Sequence, residues 1–232
     1  MIRQISQFTK NSKTVSFGTV SRDFRNDIYG YSTANSTCMF REDMDWDVLT
    51  DSLIKDGKPK KIYCYACSDG SEPLSIALAL ISKLGFDKFK RDFSVIAKDA
   101  DEKTLQMAKN GLVTLNRRDL KRISPYAKPS DYFEYQYYQP FQKGVFKIKK
   151  DLADCITFKT GDILTDADSL DYNNSVIFFR NVWLYLPEEL QKKLVDIFSV
   201  KFTDSTKLVT GCLDAGSKVK EIPDKYKIPC VK

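Results

Sequence analysis

Glu72 stands two residues past the only glycine of the turn in Lys61-Ile-Tyr-Cys-Tyr-Ala-Cys-Ser-Asp-Gly-Ser-Glu-Pro-Leu-Ser-Ile-Ala-Leu-Ala-Leu80, where an apolar strand gives way to a helix. A turn that holds a pyrophosphate needs several glycines, so that backbone amides can close on the oxygens. Gly70 alone is available, and the turn offers a carboxylate. The segment therefore reads as the first β-turn-α unit of a nucleotide-cofactor fold whose cofactor carries no phosphate. About 30 residues on, Asp99 follows a second apolar run, a usual place for an acid that binds ribose hydroxyls. Aspartates there also cap helices, and Asp101 is an equal candidate for that task. Gly161-Asp162-Ile163 follows a third strand, where a side-chain or backbone hydrogen bond could hold an adenine ring; an ordinary turn explains it as well. Arg180-Asn181 comes directly after the apolar run ending Phe178-Phe179. A charge there must be either solvated or partnered within a site. Arg41, beside Met39 and Phe40, poses the same question, with a surface salt bridge as the plainer alternative.

The chain has no histidine, which removes the commonest general base. Its six cysteines are scattered and read as small core side chains in a reducing compartment. Cys64 and Cys67 form a C-x-x-C, but a structural zinc site would want a second pair or histidines.

The elements that must position these groups follow from periodicity. Pro73 suits the first turn of a helix, and Leu74, Ile76, Ala77, Leu78 and Leu80 cover a broad buried face up to a stop at Gly85. A helix is expected over Phe40 to Ile54, strands at Ile62 to Ala66 and Phe93 to Ala97, and a helix over Thr104 to Lys109 with Gly111 placed to cap it. Strands follow at Cys155 to Phe158, Ser175 to Phe179 and Lys207 to Gly211, with an amphipathic helix over Pro187 to Phe198. The alternation predicts an α/β fold with a doubly wound, mostly parallel sheet and ligands beyond the strands' carboxyl ends. Residues 112–154 break the pattern. The aromatic Tyr132 to Tyr138 and the alternating Val145 to Lys149 predict a small antiparallel β insertion, at about 128–154.

With 232 residues, 42% of them hydrophobic, the chain can fill one sizeable core. Residues 1–34 are polar and weakly periodic, so a tail or a couple of short helical turns is expected there, ahead of one domain over 35–232. No apolar run reaches the roughly 18 residues of a membrane span, and the start has no signal-peptide core; a cytoplasmic location without membrane insertion follows as the expectation. The net charge of +6 is uneven, with clusters at Arg117, Arg118, Lys121 and Arg122 and at Lys143, Lys147, Lys149 and Lys150. These suit an acidic partner or a solvated face, and not nucleic acid, because aromatics are not interleaved with them.

Taken in order, four motifs resemble those of the CheR-type chemotaxis receptor glutamate methyltransferases, which use S-adenosylmethionine (SAM). Asn35-Ser-Thr-Cys-Met-Phe-Arg41-Glu42 is similar to the family's N-x-T-x-F-F-R-E and Ser68-Asp-Gly-Ser-Glu-Pro-Leu-Ser75 to its S-T-G-E-E-P-Y-S. Lys98-Asp-Ala-Asp101 resembles its S/T-D-I-D, and Phe179-Arg-Asn-Val-Trp-Leu-Tyr185 its C-R-N-V-x-I-Y. The resemblance implies a SAM-methyltransferase fold, with a SAM pocket lined by Asn35, Thr37, Arg41, Glu72, Asp99, Asp162, Ile163, Arg180 and Asn181, and with Arg41 and Tyr185 close to the transferred methyl. S-adenosylhomocysteine would be the product, a receptor's cytoplasmic helix bundle the partner, and a monomer the expected state. The chain departs from the family at Ser71 for a glutamate, at Asp162 where asparagine is common, and at Gly211-Cys-Leu-Asp214 for G-H-S-E. Two rivals remain: a SAM methyltransferase for another carboxylate, and a SAM-binding signalling protein without catalysis.

Overall fold

A computed structural model describes residues 37–139 and 143–229; the expected tail over 1–34 and Asn35 lie outside them. Strand β1, Lys60–Tyr65, is the centre of a five-stranded parallel sheet. On one side it pairs with β2, Phe93–Asp99 (Ile62 opposite Val95), and β2 pairs with β6, Ile156–Thr160. On the other it pairs with β7, Ser175–Phe178 (Ile62 opposite Val176), and β7 with β8, Lys207–Val209. The order β6-β2-β1-β7-β8 is doubly wound, and chain direction puts all five carboxyl ends at one rim. The central strands are covered on both faces, and every residue of Ser175–Phe178 is buried, whereas the edge strand Ile156–Thr160 buries only Ile156.

Helix α1 is Trp46–Ile54, α2 Ser71–Leu84, α3 Phe86–Asp92 and α4 Glu102–Lys109. Helix α2 is buried from Pro73 to Ile81, as its almost unbroken apolar composition requires. It starts at Gly70, φ +88, where a Cβ would also press on the Phe158 ring at 3.0 Å and Ala108 at 3.3 Å. Only glycine meets both demands.

A second, antiparallel sheet has β5, Lys143–Ile148, between β3, Leu112–Leu115, and β4, Phe133–Gln139. Its register slips between Tyr135 and Tyr137, a β-bulge. The short helix α5, Arg117–Ile123, follows β3.

The expected helix over Phe40 to Ile54 is corrected to Trp46–Ile54. Asp45 caps it by accepting from Val48 N at 3.1 Å, and Phe40 takes φ +47, which ends any helix upstream. Ala66, expected in the first strand, has already turned to φ +53. Helices α3 and α5 were not anticipated, because seven charged-rich residues carry too little periodicity to register. No helix of the described residues is long and apolar enough to cross a membrane.

Candidate functional site

The rim of the parallel sheet receives one polar segment from the end of each strand. After β1 comes the turn Ala66 to Gly70, after β2 Asp99, after β6 Gly161 to Ile163, after β7 Arg180 and Asn181, and after β8 Gly211 to Asp214. Of the five non-glycine residues at positive φ among the described residues, four lie in the candidate segments: Phe40, Ala66, Ser68 and Asn181. Such conformations cost of order 1 kcal/mol or more each, and they persist where the surroundings over-determine them, commonly at functional sites.

Arg180 is neither solvated nor orphaned. Its side chain is 2% exposed and forks between Glu72, Nη1 to Oε1 at 2.6 Å, and Asp43, Nη2 to Oδ1 at 3.0 Å. Burial works against its charge, but Glu72 and Asp43 outweigh that and hold its pKa above the ordinary arginine value. Arg41 also meets Asp43, Nε to Oδ1 and Nη2 to Oδ2, both at 3.3 Å, so the surface-salt-bridge alternative gives way to a part-buried pair. Asn181 donates from Nδ2 to Asp43 Oδ2 at 3.3 Å. Four of the sequence candidates, Arg41, Glu72, Arg180 and Asn181, are thus brought into one ion cluster. Burial would raise the Asp43 carboxyl, but Arg180 and Arg41 prevail and lower it.

The segment carrying Thr37 and Arg41 is held from both sides. Phe40 N donates to Ser75 Oγ on α2 at 2.9 Å, and Met39 N to Asp119 Oδ1 on α5 at 3.2 Å. Arg122 adds an ion pair to Glu42 at 2.7 Å, and Trp46 Nε1 donates to Arg41 O at 3.0 Å. Thr37 is half-buried at the start of this segment.

Asp99 is 2% exposed and serves the turn, its Oδ2 accepting from Ser68 N at 2.8 Å and its Oδ1 from Asp101 N at 2.9 Å. Burial raises its pKa, partly offset by those N–H groups. The helix cap is Asp101, which accepts from Lys103 N at 3.0 Å, so Asp99 is not used for capping. Asp162 does cap, accepting from Leu164 N at 3.0 Å, and Ile163 behind it is buried. Gly161 N donates to Asp99 O at 3.0 Å, which joins this corner to the end of β2. Tyr185 is half-buried and closes the short 3₁₀ helix Trp183–Tyr185. Cys64 and Cys67 are buried free thiols that burial pushes well above the ordinary pKa, which makes them poor nucleophiles.

Three acids were missed as site builders. Asp43 is the hub of the ion cluster. Asp214, fully buried, accepts four backbone N–H groups, from Asn181 at 2.6 Å, Gly211 at 2.8 Å, Val182 at 3.0 Å and Trp183 at 3.1 Å, and thereby sets the loop that carries Arg180 and Asn181. Burial pushes its carboxyl up to about 6 against those donors. Asp166 accepts from Lys98 Nζ at 2.7 Å and Tyr65 OH at 3.0 Å, tying the segment after β6 to the carboxyl ends of β2 and β1. Asp43 had a local signal, an acid two residues from Arg41; Asp214 showed itself only as a departure from G-H-S-E, and Asp166 not at all.

Two buried side-chain atoms among the described residues have no hydrogen-bond partner, Ser68 Oγ and Arg180 Nε, both in segments expected to line the pocket. Orphaned polar atoms fit a site that is completed by a polar ligand. A paired acid and arginine with a glycine-poor turn suits an amino-acid moiety and a nucleoside better than a phosphate.

The family model described as "CheR methyltransferase, SAM binding domain" matches residues 35–229. Among curated proteins, the chain is 28% identical over 166 residues to a chemotaxis protein methyltransferase of Salmonella typhimurium, covering 72% of this chain and 55% of that one. It is 28% identical over 194 residues to a probable chemotaxis protein methyltransferase of Rhizobium etli, covering 81% and 70% respectively. The chain thus spans a little over half the length of the Salmonella relative. Among solved structures, a TehB-like SAM-dependent methyltransferase of Corynebacterium glutamicum matches at TM-score 0.33 and 16% identity, over 69% of this chain and 60% of that one, too remote to carry an argument.

Proposed function

Since the chain belongs to the CheR methyltransferase family, we propose that it transfers a methyl group from SAM to glutamate side chains in the cytoplasmic helix bundle of chemotaxis receptors. The observation that carries this is the convergence of Arg41, Arg180 and Asn181 on Asp43 at the sheet rim, with Glu72 paired to Arg180, within the residues matched by the SAM-binding model. On this reading Asn35, Thr37, Arg41, Glu72, Asp99, Asp162, Ile163, Arg180 and Asn181 hold the cofactor, with Asp99 at the ribose and Glu72 and Arg180 at the amino-acid end. Bound SAM supplies a sulfonium-activated methyl group that a carboxylate oxygen can take in one displacement.

A glutamate carboxylate, with a pKa near 4.3, is already a nucleophile at neutral pH, so the missing histidine is no obstacle. The protein's task is alignment and exclusion of water. Arg41 orients the incoming carboxylate and the carboxylate region of SAM, and Tyr185 positions the methyl or the substrate by hydrogen bonding. The domain is read as 35–232 with a β-subdomain insertion at about 128–154, whose strands β4 and β5 join β3 from outside it, and residues 1–34 as a tail or domain remnant; a monomer acting in the cytoplasm completes the proposal.

Calorimetric titration with S-adenosylhomocysteine, run beside Asp99→Ala, tests the cofactor site; binding is expected in the parent and lost in the variant. A receptor cytoplasmic fragment incubated with methyl-labelled SAM tests the substrate. Cofactor binding without label transfer to any glutamate would refute the receptor assignment, and no binding by the folded parent would refute the whole reading.

A further inference from the structure

Asp43 holds four groups at once. Its Oδ1 accepts from Arg180 Nη2 at 3.0 Å and Arg41 Nε at 3.3 Å; its Oδ2 accepts from Arg41 Nη2 and Asn181 Nδ2, each at 3.3 Å, and lies 3.8 Å from Cys212 Sγ. Arg41 meets it edge-on through two N–H groups. A two-point fork fixes the plane of a guanidinium as well as its distance, which a single contact does not. Among the described residues the charges joined by these ion pairs are two cations, Arg41 and Arg180, and two anions, Asp43 and Glu72.

That balance matters for the reaction proposed above. A glutamate carboxylate loses its negative charge as its oxygen bonds to the methyl carbon, and the sulfonium loses its positive charge as the C–S bond breaks. Excess positive potential would therefore stabilise the starting carboxylate more than the transition state, and would repel the cationic cofactor. We infer that Asp43 is a positioning residue for methyl transfer, which fixes the plane of Arg41 and neutralises the arginine pair so that the substrate carboxylate is aimed without being gripped. This rests on the methyltransferase reading.

The test is Asp43→Asn, which keeps the shape and removes the charge, beside Asp43→Glu. For Asp43→Asn, kcat on the receptor fragment is expected to fall about tenfold while KM for the fragment stays level or drops, a split that marks lost transition-state preference. Titration adds a readout independent of turnover: affinity for SAM should fall several-fold relative to S-adenosylhomocysteine, whose sulfur is neutral. Asp43→Glu should recover part of both. Unchanged kcat and KM would overturn the inference, as would an equal loss of affinity for both ligands with a lowered melting temperature, the mark of a merely structural acid. Failure of the unaltered protein to bind S-adenosylhomocysteine would instead remove the methyltransferase reading, and the inference with it.

Discussion

The two sheets draw on similar aromatic and aliphatic residues and dispose of them in opposite ways. In the parallel sheet Tyr65, Ile177 and Phe178 are buried to within 2%. In the antiparallel sheet Phe133, Val145 and Ile148 are buried, while Tyr135, Tyr137 and Tyr138 face outward, Tyr138 at 75% exposure. The central strands of the parallel sheet are covered on both faces, and the polar groups gathered at their carboxyl ends sit where low dielectric strengthens each ion pair and penalises each unpaired charge. The antiparallel sheet covers one face only, and its polar groups are solvated wherever they fall. A substitution at the rim should therefore cost stability and ligand binding together, and one in the small sheet stability at most.

The sharpest way to break that contrast is Arg180→Ala. It strands the carboxylates of Glu72 and Asp43, part-buried and without their main cation, and should cost about 3–5 kcal/mol in urea unfolding with complete loss of S-adenosylhomocysteine binding. A cost below about 1 kcal/mol would mean the rim is wetter than described. Next come two glycines. A Cβ at Gly211 would fall on the Asn181 amide, and at Gly144 it would meet the Phe146 ring at 2.7 Å. Gly211→Ala should lose about 1–3 kcal/mol and weaken the ligand, whereas Gly144→Ala should lose a comparable or smaller amount with titration unaltered. Equal ligand affinity in both variants would dissolve the distinction between the sheets.

Acid unfolding probes the rim more gently. The folded pKa of Asp43 lies below its unfolded value, so its stabilisation is fully present above the ordinary aspartate range and is lost as pH falls through the folded value. Urea midpoints should therefore drop on the acid side, and less steeply for Asp43→Asn. The smallest effect is expected from Tyr138→Ser, within about 0.5 kcal/mol by thermal unfolding and without change in cofactor titration.

Much of this was legible from residues alone. The turn between β1 and α2 announces itself because Pro73, Gly70 and the apolar run after them act locally, over one or two helical turns. Asp99 and Asp101 were separable as neighbours but not in role; only the coordinates show that Asp101 caps α4 while Asp99 braces Ser68. Asp43 lay beside Arg41, but its role as hub depends on Arg180, 137 residues away, and Asp214 escaped because Asn181, whose loop it sets, is 33 residues away. No window of periodicity spans such separations.

The chain by itself determined the alternation of strand and helix, the glycine-poor turn and the family motifs, since each depends on backbone preference and on side chains within a few positions of one another. The tertiary structure alone decided which charges meet. Arg180 could have been a solvated cation or a buried one, and the difference came from packing that withdrew it from water and left Glu72 and Asp43 as the groups able to compensate.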